Sequence, residues 1–257
     1  MKTVAIIQAR MASTRLPGKV MAEVAGRPML EQVVRRTQGA CTLDLVAVAT
    51  SDGLMDDVIA QLCGKAGILY FRGSEDDVLD RYYHAAKQAD ADVIVRLTAD
   101  CPLLDPAVVD RVVEVFQTGD YDYVSNIHKP TYPDGLDTEV FRREALEQAW
   151  REARLKSERE HVTPYIWKQP DLFRLANVAH EQDLSDLRWT VDEPEDLEFV
   201  RRVYGYFDES LSFGMAEILA LLREHPELND INTQFERNEG YQKSLREALL
   251  INERSIE

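Results

Sequence analysis

The sequence predicts an α/β protein built on a single doubly wound sheet, mixed but mostly parallel. Three observations support this: short, continuous apolar runs rich in β-branched residues, segments of helical period between them, and polar loops directly after the runs. Continuous apolar runs are typical of parallel strands buried on both faces. Strands that alternate with helices imply crossover connections that cover both faces of the sheet. In such a fold, ligands bind at the carboxyl ends of the strands.

The elements can be assigned in order along the chain. The predicted strands are Thr3–Gln8, Leu45–Thr50, Ile68–Phe71, Val93–Leu97 and Tyr121–Ser125. The predicted helices between them are Met29–Gln38, Met55–Ala66, Asp77–Ala89 and Pro106–Gln117. Pro106 suits the first turn of its helix, and Asp105 directly before it is the better N-cap than the more distant Asp100.

The alternation stops after residue 125. Residues 126–141 contain HKPTYPDGLDTEVF, whose Pro and Gly residues predict a hairpin or lid before a helix near 144–156. We therefore expect an α/β domain over residues 1–204, with a lid and acceptor segment at about 126–165, and a helical C-terminal appendage at 205–257. The charged end of this appendage, NEGYQKSLREALLINERSIE, is expected to dock as a terminal helix, with a partner-binding arm as the alternative.

Net charge excludes several classes of partner. The 257 residues include 30 Lys and Arg against 46 Asp and Glu, a formal charge of −16. An acidic surface repels phosphate backbones and anionic lipid heads, so we expect no nucleic-acid partner and no membrane partner. A small phosphate-bearing ligand is expected only where cations are gathered locally.

The cysteines and the N-terminus predict a cytoplasmic location. Cys41, Cys63 and Cys101 are widely spaced and form no CxxC pair, which fits a reducing compartment. The N-terminal apolar run is too short for a signal-peptide core, and no run reaches the roughly 20 apolar residues of a membrane span.

Cations are gathered in the loop that follows the first strand, QARMASTRLPGK. Within residues 1–30 the one acid is Glu23, and the cations are Lys2, Arg10, Arg15, Lys19 and Arg27. Small residues between two arginines allow backbone N–H groups to approach an anion while the cations hold its oxygens. We therefore expect a polyphosphate here; the alternative is a surface loop whose arginines pair with the protein's own acids. The P-loop and dinucleotide-fingerprint spacings are absent.

This loop, as IIQARMASTRLPGK, resembles the nucleotide loop of the 3-deoxy-manno-octulosonate and acylneuraminate cytidylyltransferases. The chain as a whole is most similar to their SpsF-type relatives, named for spore coat polysaccharide biosynthesis. Further matching segments are VATSD (48–52), GSEDDVLDRYY (73–83), VRLTADCPLL (95–104), DGLDTEVF (134–141), REHVTPY (159–165) and VDEPEDL (191–197). The resemblance implies a nucleotide-diphospho-sugar transferase-like, Rossmann-like fold, a homodimer, and nucleotide contacts from Ala9, Arg10, Ser13, Arg15 and Lys19.

Two aspartates are candidate metal ligands. Asp100 ends a predicted strand and faces the cationic loop, where a carboxylate near a polyphosphate requires an intervening cation. Magnesium is the natural choice, because it takes one or two carboxylates together with phosphate oxygens and water. Asp192 ends another apolar run, and its spacing alone fits a helix cap equally well. The resemblance implies that Asp100 and Asp192 both hold Mg²⁺, although this chain has TADCP where the octulosonate enzymes have a Gly-Asp-Glu-Pro sequence.

Other motifs are candidates for binding the base and the second substrate. The resemblance places the pyrimidine near Thr50 and Asp52, which could equally form an ordinary turn, and Arg81 could reach the nucleotide from its helix. Substrate-binding candidates are Asp137, Glu139, Arg159 and His161. An Arg fork suits a carboxylate, and Asp137 and Glu139 would share one face of a strand.

The sequence thus predicts a cytidylyltransferase that transfers CMP from CTP to an acidic sugar and releases pyrophosphate. Arg10, Lys19 and Asp100 would be the catalytic residues, because such a transfer depends on positioning and charge neutralisation. One alternative is a metal-dependent glycosyltransferase, although Asp100-Cys101-Pro102 lacks the D-x-D pair. The other is a nucleotide-binding partner protein without turnover.

Overall fold

The computed structural model describes residues 1–207, 213–235 and 237. The strands are β1 (Thr3–Gln8), β2 (Glu23–Val24), β3 (Arg27–Pro28), β4 (Leu45–Ser51), β5 (Leu69–Gly73), β6 (Val93–Thr98), β7 (Tyr123–Ser125), β8 (Glu139–Arg142) and β9 (Leu175–Asn177). The α-helices are α1 (Met29–Thr37), α2 (Asp57–Ala66), α3 (Val78–Gln88), α4 (Pro106–Thr118), α5 (Arg143–Glu152), α6 (Lys156–His161), α7 (Pro164–Trp167), α8 (Pro194–Tyr206) and α9 (Met215–Glu224). Short 3₁₀ turns lie at Lys19–Met21, Leu54–Asp56 and Pro226–Ile231.

The main sheet has seven strands in the order β5-β4-β1-β6-β8-β7-β9. β5, β4, β1 and β6 are mutually parallel, and β8 runs antiparallel to both of its neighbours, β6 and β7. β2 and β3 form a small separate hairpin. The predicted single, mostly parallel mixed sheet is confirmed.

Alternation along β1 shows how the sheet is covered. Val4 and Ile6 point into one buried layer with α3 and α5, whereas Ala5 and Ile7 point into the other with α1, α4 and α8. Each fully buried aliphatic side chain of this kind stabilises the fold by about 1.5–3 kcal/mol. Because both faces of β1 are buried, its sequence is a continuous apolar run. This run is the pattern from which the strand is predicted.

The segment predicted as a hairpin or lid contributes to the main sheet. Residues 139–142 form β8, which pairs with β6 and β7. Gly135 has φ +113°, and an added Cβ would lie 2.7 Å from the backbone of Thr190, so the chain crosses close to that segment there. Whether residues 126–165 move as a lid stays a prediction.

The described part of the predicted C-terminal appendage is helical and packs on the main core. Phe213, Ile218, Leu221 and Leu228 are buried in the same layer as α1, α4 and α8. The stretch that begins at Asn238 lies outside the described residues, and the boundary at 204 remains a prediction. In the described part of the chain, none of the helices combines the length and the apolar character that a membrane span requires.

Candidate functional site

A cavity of about 440 Å³ opens at the carboxyl ends of β1 and β6. Its wall is formed by the loop after β1, the end of β6, the first turn of α3, the last turn of α6 and Asp192, two residues before α8. Sequence-predicted residues that line it are Ala9, Arg10, Ser13, Arg15, Lys19, Arg81, Asp100, His161 and Asp192. The structure therefore brings together the cationic loop and both candidate metal ligands at the place where parallel strands of this fold bind ligands.

Local hydrogen bonds shape the cationic loop. The backbone N–H groups of Ser13 and Gly18 both donate to the carbonyl of Met11, at 2.9 and 3.0 Å. The N–H of Met11 donates in turn to Asp56 at 2.7 Å, which anchors the loop to the turn before α2. Gly18 has φ +73°, a left-handed conformation that disfavours other residues, and the 3₁₀ turn carrying Lys19 begins directly after it.

Lys19 connects the two candidate metal ligands. Its Nζ donates to Asp100 Oδ2 at 2.9 Å, to Asp192 Oδ1 at 2.8 Å and to the carbonyl of Val191 at 2.8 Å. Burial lowers the pKa of Lys19, but the two carboxylates outweigh that effect and the net pKa is raised. The ammonium is therefore charged, and it holds Asp100 and Asp192 against each other at one end of the cavity.

Neither aspartate caps a helix, and the carboxyl group of Asp100 is ionised. Burial acts to raise the pKa of Asp100, but Lys19 and the hydroxyl of Thr98 lower it to about 2. Asp192 Oδ2 also lies 2.8 Å from Arg15 Nη2. The predicted N-cap role of Asp105 is confirmed, since its Oδ1 accepts from the N–H of Ala107 at 2.8 Å. The N-cap of α8 is Glu193, so the Asp192 carboxylate is directed to the cations of the cavity.

The donor set of this site fits a magnesium ion bound together with phosphate. Within residues 1–207, 213–235 and 237, no cluster of three or more His, Cys, Asp or Glu side chains has the arrangement of a metal site. Asp100 and Asp192 supply two adjacent carboxylates, and a magnesium ion with one or two protein carboxylates completes its shell with phosphate oxygens and water. Asp100 and Asp192 would hold such an ion, with Lys19 released towards the phosphates.

Arg81 and His161 approach the cavity from two helices. The guanidinium of Arg81 is buried and donates to the carbonyl of Ser74, and burial lowers its pKa. Burial is also the main reason that the pKa of His161 is lowered to about 4; Glu160 raises it, and Arg96 and Arg10 lower it further. His161 is therefore neutral at pH 7, with ring nitrogens suited to hydrogen bonding rather than to ion pairing.

Five predicted contact residues do not line this cavity: Thr50, Asp52, Asp137, Glu139 and Arg159. Thr50 is fully buried in β4, and Asp52 is exposed at its end. Arg159 donates to Asp77 Oδ2 at 2.9 Å and to the carbonyl of Trp150 at 2.7 Å. Direct substrate contacts from these residues stay predictions.

Two of the three acids of the DGLDTEVF segment, Asp137 and Glu139, have different partners. Glu139 is 2% exposed and accepts hydrogen bonds from Arg96, from Tyr123 Oη at 2.6 Å and from Thr163 Oγ1 at 2.6 Å. Asp137 precedes β8 and pairs with Arg237 of the C-terminal part. Gln8, Thr14, Val78, Thr98 and Glu160 line the cavity without having been predicted. Gln8 could have been identified from the sequence as a cavity residue, because it is a polar residue at the carboxyl end of an apolar strand.

Comparison with known proteins identifies the family of this chain. The family model described as cytidylyltransferase matches residues 4–247. An uncharacterized protein of Methanocaldococcus jannaschii, MJ1063, is 38% identical over 96% of this chain and 99% of its own length. The spore coat polysaccharide biosynthesis protein SpsF of Bacillus subtilis is 34% identical over 86% of this chain and 94% of its own length.

Two further matches are a relative that aligns with part of the chain and a solved structure that has the same fold. A 3-deoxy-manno-octulosonate cytidylyltransferase of Trichlorobacter lovleyi is 40% identical over 45% of this chain and 45% of its own length. The solved structure of a cytidylyltransferase from Leptospira borgpetersenii superposes with a TM-score of 0.85, at 34% identity over 89% of this chain and 97% of the other. The resemblance to SpsF-type proteins is confirmed, and the chain belongs to the cytidylyltransferase family of nucleotidyltransferase enzymes.

Proposed function

We propose that this enzyme transfers CMP from CTP to an acidic sugar of the octulosonate or nonulosonate class, for the synthesis of a surface polysaccharide, and releases pyrophosphate. The observation that carries the proposal is the ion-pair cluster of Lys19, Asp100 and Asp192 at the end of the cationic loop. With Arg15, whose Nη2 lies 2.8 Å from Asp192 Oδ2, the cluster sets two cations against two carboxylates before any ligand binds. A triphosphate with its metal ion brings both signs of charge, so it can replace these internal pairs without leaving a buried charge unpaired.

The residues of the loop have distinct tasks in this proposal. The side chains of Arg10, Arg15 and Lys19 bind the triphosphate, and the backbone from Ala9 to Ser13 lies against it. When the triphosphate binds, the side chains of Arg15 and Lys19 leave Asp192 and Asp100 and bind phosphate oxygens instead. Charged and directed donors of this kind stabilise the charge that develops as a phosphoryl group is transferred.

The reaction itself requires little acid–base chemistry from the chain. A hydroxyl oxygen of the acceptor forms a bond to the α-phosphorus of CTP, the bond from that phosphorus to the bridging oxygen breaks, and pyrophosphate leaves with the electron pair. The proton of the hydroxyl passes to solvent. Magnesium, when bound by Asp100 and Asp192, supplies charge neutralisation for the triphosphate and the departing pyrophosphate.

Additional observations support the class of substrate and the setting. The matching relatives include a spore coat polysaccharide protein and an octulosonate cytidylyltransferase. The cavity of about 440 Å³ lies within the size range of ordinary small-molecule sites. The three cysteines are all unpaired, consistent with a cytoplasmic setting. We expect a homodimer, which sedimentation analysis would test.

The test is a product assay with defined substrates. The purified chain is incubated with magnesium, one of CTP, UTP, ATP or GTP, and one member of a panel of octulosonic and nonulosonic acids. We expect pyrophosphate release and a CMP-linked sugar, detected by mass spectrometry, only with CTP and a suitable acid. Absence of product with every acid, together with absence of CTP binding in calorimetry, would refute the proposal. CTP binding without product would support the non-catalytic alternative.

A further inference from the structure

The amide of Gln8 is held between the cavity and a buried arginine. Gln8 is the last residue of β1, and its side chain lies on the same face as Ile6, where it meets Arg96 of the neighbouring strand β6. Arg96 Nη2 donates to Gln8 Oε1 at 3.1 Å. Gln8 also lines the cavity and is only half-buried, so its side chain is accessible from the ligand space.

Arg96 fixes which way this amide points. A guanidinium has only N–H donors and no acceptor, so it can bind the oxygen of an amide and not its NH₂ group. The amide of Gln8 must therefore present Oε1 to Arg96 and turn Nε2 away from it. An amide next to a hydroxyl or water could flip, but next to Arg96 a flip would bring two donors together.

Arg96 cannot turn away, because it is itself held by a buried network. Its Nη1 donates to Glu139, and the same carboxylate accepts from Tyr123 and Thr163. Its guanidinium also lies 6.0 Å from the ring centre of Tyr82. Burial acts to lower the pKa of Arg96, but Glu139 and the neighbouring phenol groups raise it by more. The net pKa is raised, so the arginine stays charged.

The Nε2 group of Gln8 is thus a fixed donor without a protein acceptor. Within residues 1–207, 213–235 and 237, no group accepts a hydrogen bond from it. A polar group that faces a ligand cavity in a set orientation is the usual means by which a pocket imposes specificity. We infer that Gln8 is a specificity-determining residue that donates a hydrogen bond from Nε2 to an oxygen of the acceptor sugar; this inference rests on the proposed function.

The position of the network favours the acceptor over the nucleotide. Arg96 and Glu139 belong to β6 and β8, on the opposite side of β1 from β4, where the sequence predicts the pyrimidine. His161, whose pKa is shifted by the charges of both Arg96 and Glu139, approaches from the same side. The DGLDTEVF segment, which carries the substrate-binding candidates Asp137 and Glu139, therefore acts on the cavity through Glu139, Arg96 and Gln8 in turn. Arg96 and Glu139 are positioning residues in this arrangement.

Two substitutions separate a donor role from a structural one. Gln8→Glu keeps the length of the side chain and its contact with Arg96, now as an ion pair, but presents an oxygen to the ligand instead of an NH₂ group. Gln8→Met keeps the length and removes both polar atoms. Gln117→Glu, on the exposed face of α4, is the matched control for adding a charge.

The readout is the Michaelis constant for each substrate, measured with the sugar acid that the panel identifies. We expect KM for the acceptor to rise about tenfold in Gln8→Met and further in Gln8→Glu, as loss of a hydrogen bond and then repulsion between oxygens imply. KM for CTP and the calorimetric Kd for CTP should change by less than about twofold, and melting of Gln8→Glu should match the wild type.

The other outcomes are equally informative. A rise in KM for CTP with an unchanged KM for the acceptor would assign Gln8 to the nucleotide and overturn the inference. So would wild-type acceptor kinetics in both variants, with the proposed function left intact. If the wild-type chain itself forms no product with any sugar acid, the proposed function fails and the inference fails with it.

Discussion

Arg188 and Asp196 form a two-pronged buried ion pair. Arg188 Nε donates to Asp196 Oδ1 at 2.8 Å, and its Nη2 donates to Oδ2 at 2.9 Å. The same carboxylate accepts from the backbone N–H groups of Asp192 and Glu193, at 2.8 and 2.9 Å. Burial acts to raise the pKa of Asp196, but these donors lower it overall. The pair therefore fixes the backbone that carries Asp192 into the cavity.

Asp196→Asn should destabilise the protein strongly. The change removes the nearest of the carboxylates that pair with buried Arg188, and breaking a buried ion pair of this kind typically costs about 3–5 kcal/mol. Urea unfolding at pH 7 measures the loss. The control is Glu195→Gln, an exposed acid in the same first turn, which should change the free energy of unfolding by less than about 0.5 kcal/mol. Equal effects of the two substitutions would contradict the structural role of the pair.

Lys19→Met should impair turnover more than folding. The substitution removes an ammonium that reaches both carboxylates, so Asp100 loses its cation partner and the triphosphate loses a positive charge that would hold it. We expect kcat/KM for CTP to fall by about 100-fold or more, as for other preorganised charge-stabilising donors. Pyrophosphate release measures the effect, with Lys65→Met on the exposed end of α2 as the control. Wild-type kinetics in Lys19→Met would remove the lysine from the mechanism.

Asp100→Asn and Asp192→Asn should each weaken the response to magnesium. An amide is a neutral and poorer ligand for a hard cation than a carboxylate. The magnesium concentration for half-maximal activity should rise about tenfold, equivalent to about 1.4 kcal/mol of binding free energy. A magnesium titration at saturating CTP provides the measurement, and Asp171→Asn at an exposed position controls for net charge. An unchanged titration in both site variants would show that these carboxylates do not bind the metal.

His161 should make the protein less stable as the solution is acidified. Its pKa is about 4 in the folded protein against an ordinary value of 6.5, so the unfolded chain binds more protons between those values. The free energy of unfolding should therefore fall as the pH drops through that window. His161→Gln should remove roughly 1–2 kcal/mol of this fall, after allowance for partial exposure. Urea unfolding of the wild type and of His161→Gln at pH 7.0 and pH 4.5 provides the comparison, with the exposed His84→Gln as the control. If the free energy of unfolding falls equally with pH in the wild type and in His161→Gln, the prediction is contradicted.

The parts of the fold that depend on local sequence could be predicted. β1 and β6 are continuous apolar runs because both of their faces are buried, and the cap at Asp105 depends only on the residues beside it. The cationic loop, Asp100 and Asp192 were predicted to meet because the carboxyl ends of parallel strands share one edge of the sheet. β9 has no such signal, since Leu175–Asn177 is short and only partly buried.

The direction of individual side chains could not be predicted. Glu139 looked like an exposed acid of a lid, but β8 lies inside the sheet and its side chain meets the buried Arg96. Arg159 looked like a fork for a ligand carboxylate, yet Asp77 of a distant helix cap already accepts from it. In both cases the partner is a charge that is far away in sequence, and only the tertiary fold brings it near.

The central place of β1 in the sheet has a consequence for synthesis on the ribosome. Val4 pairs with Leu45, and Thr3 pairs with Val93, so β1 is flanked by strands that are made much later than it is. At ordinary rates of translation this apolar segment waits about 5–20 s before its second neighbour emerges. During that interval it is a target for chaperones that bind extended apolar chain. The cationic loop is thus translated well before Asp192, the residue whose carboxylate pairs with Arg15 and Lys19 in the folded protein.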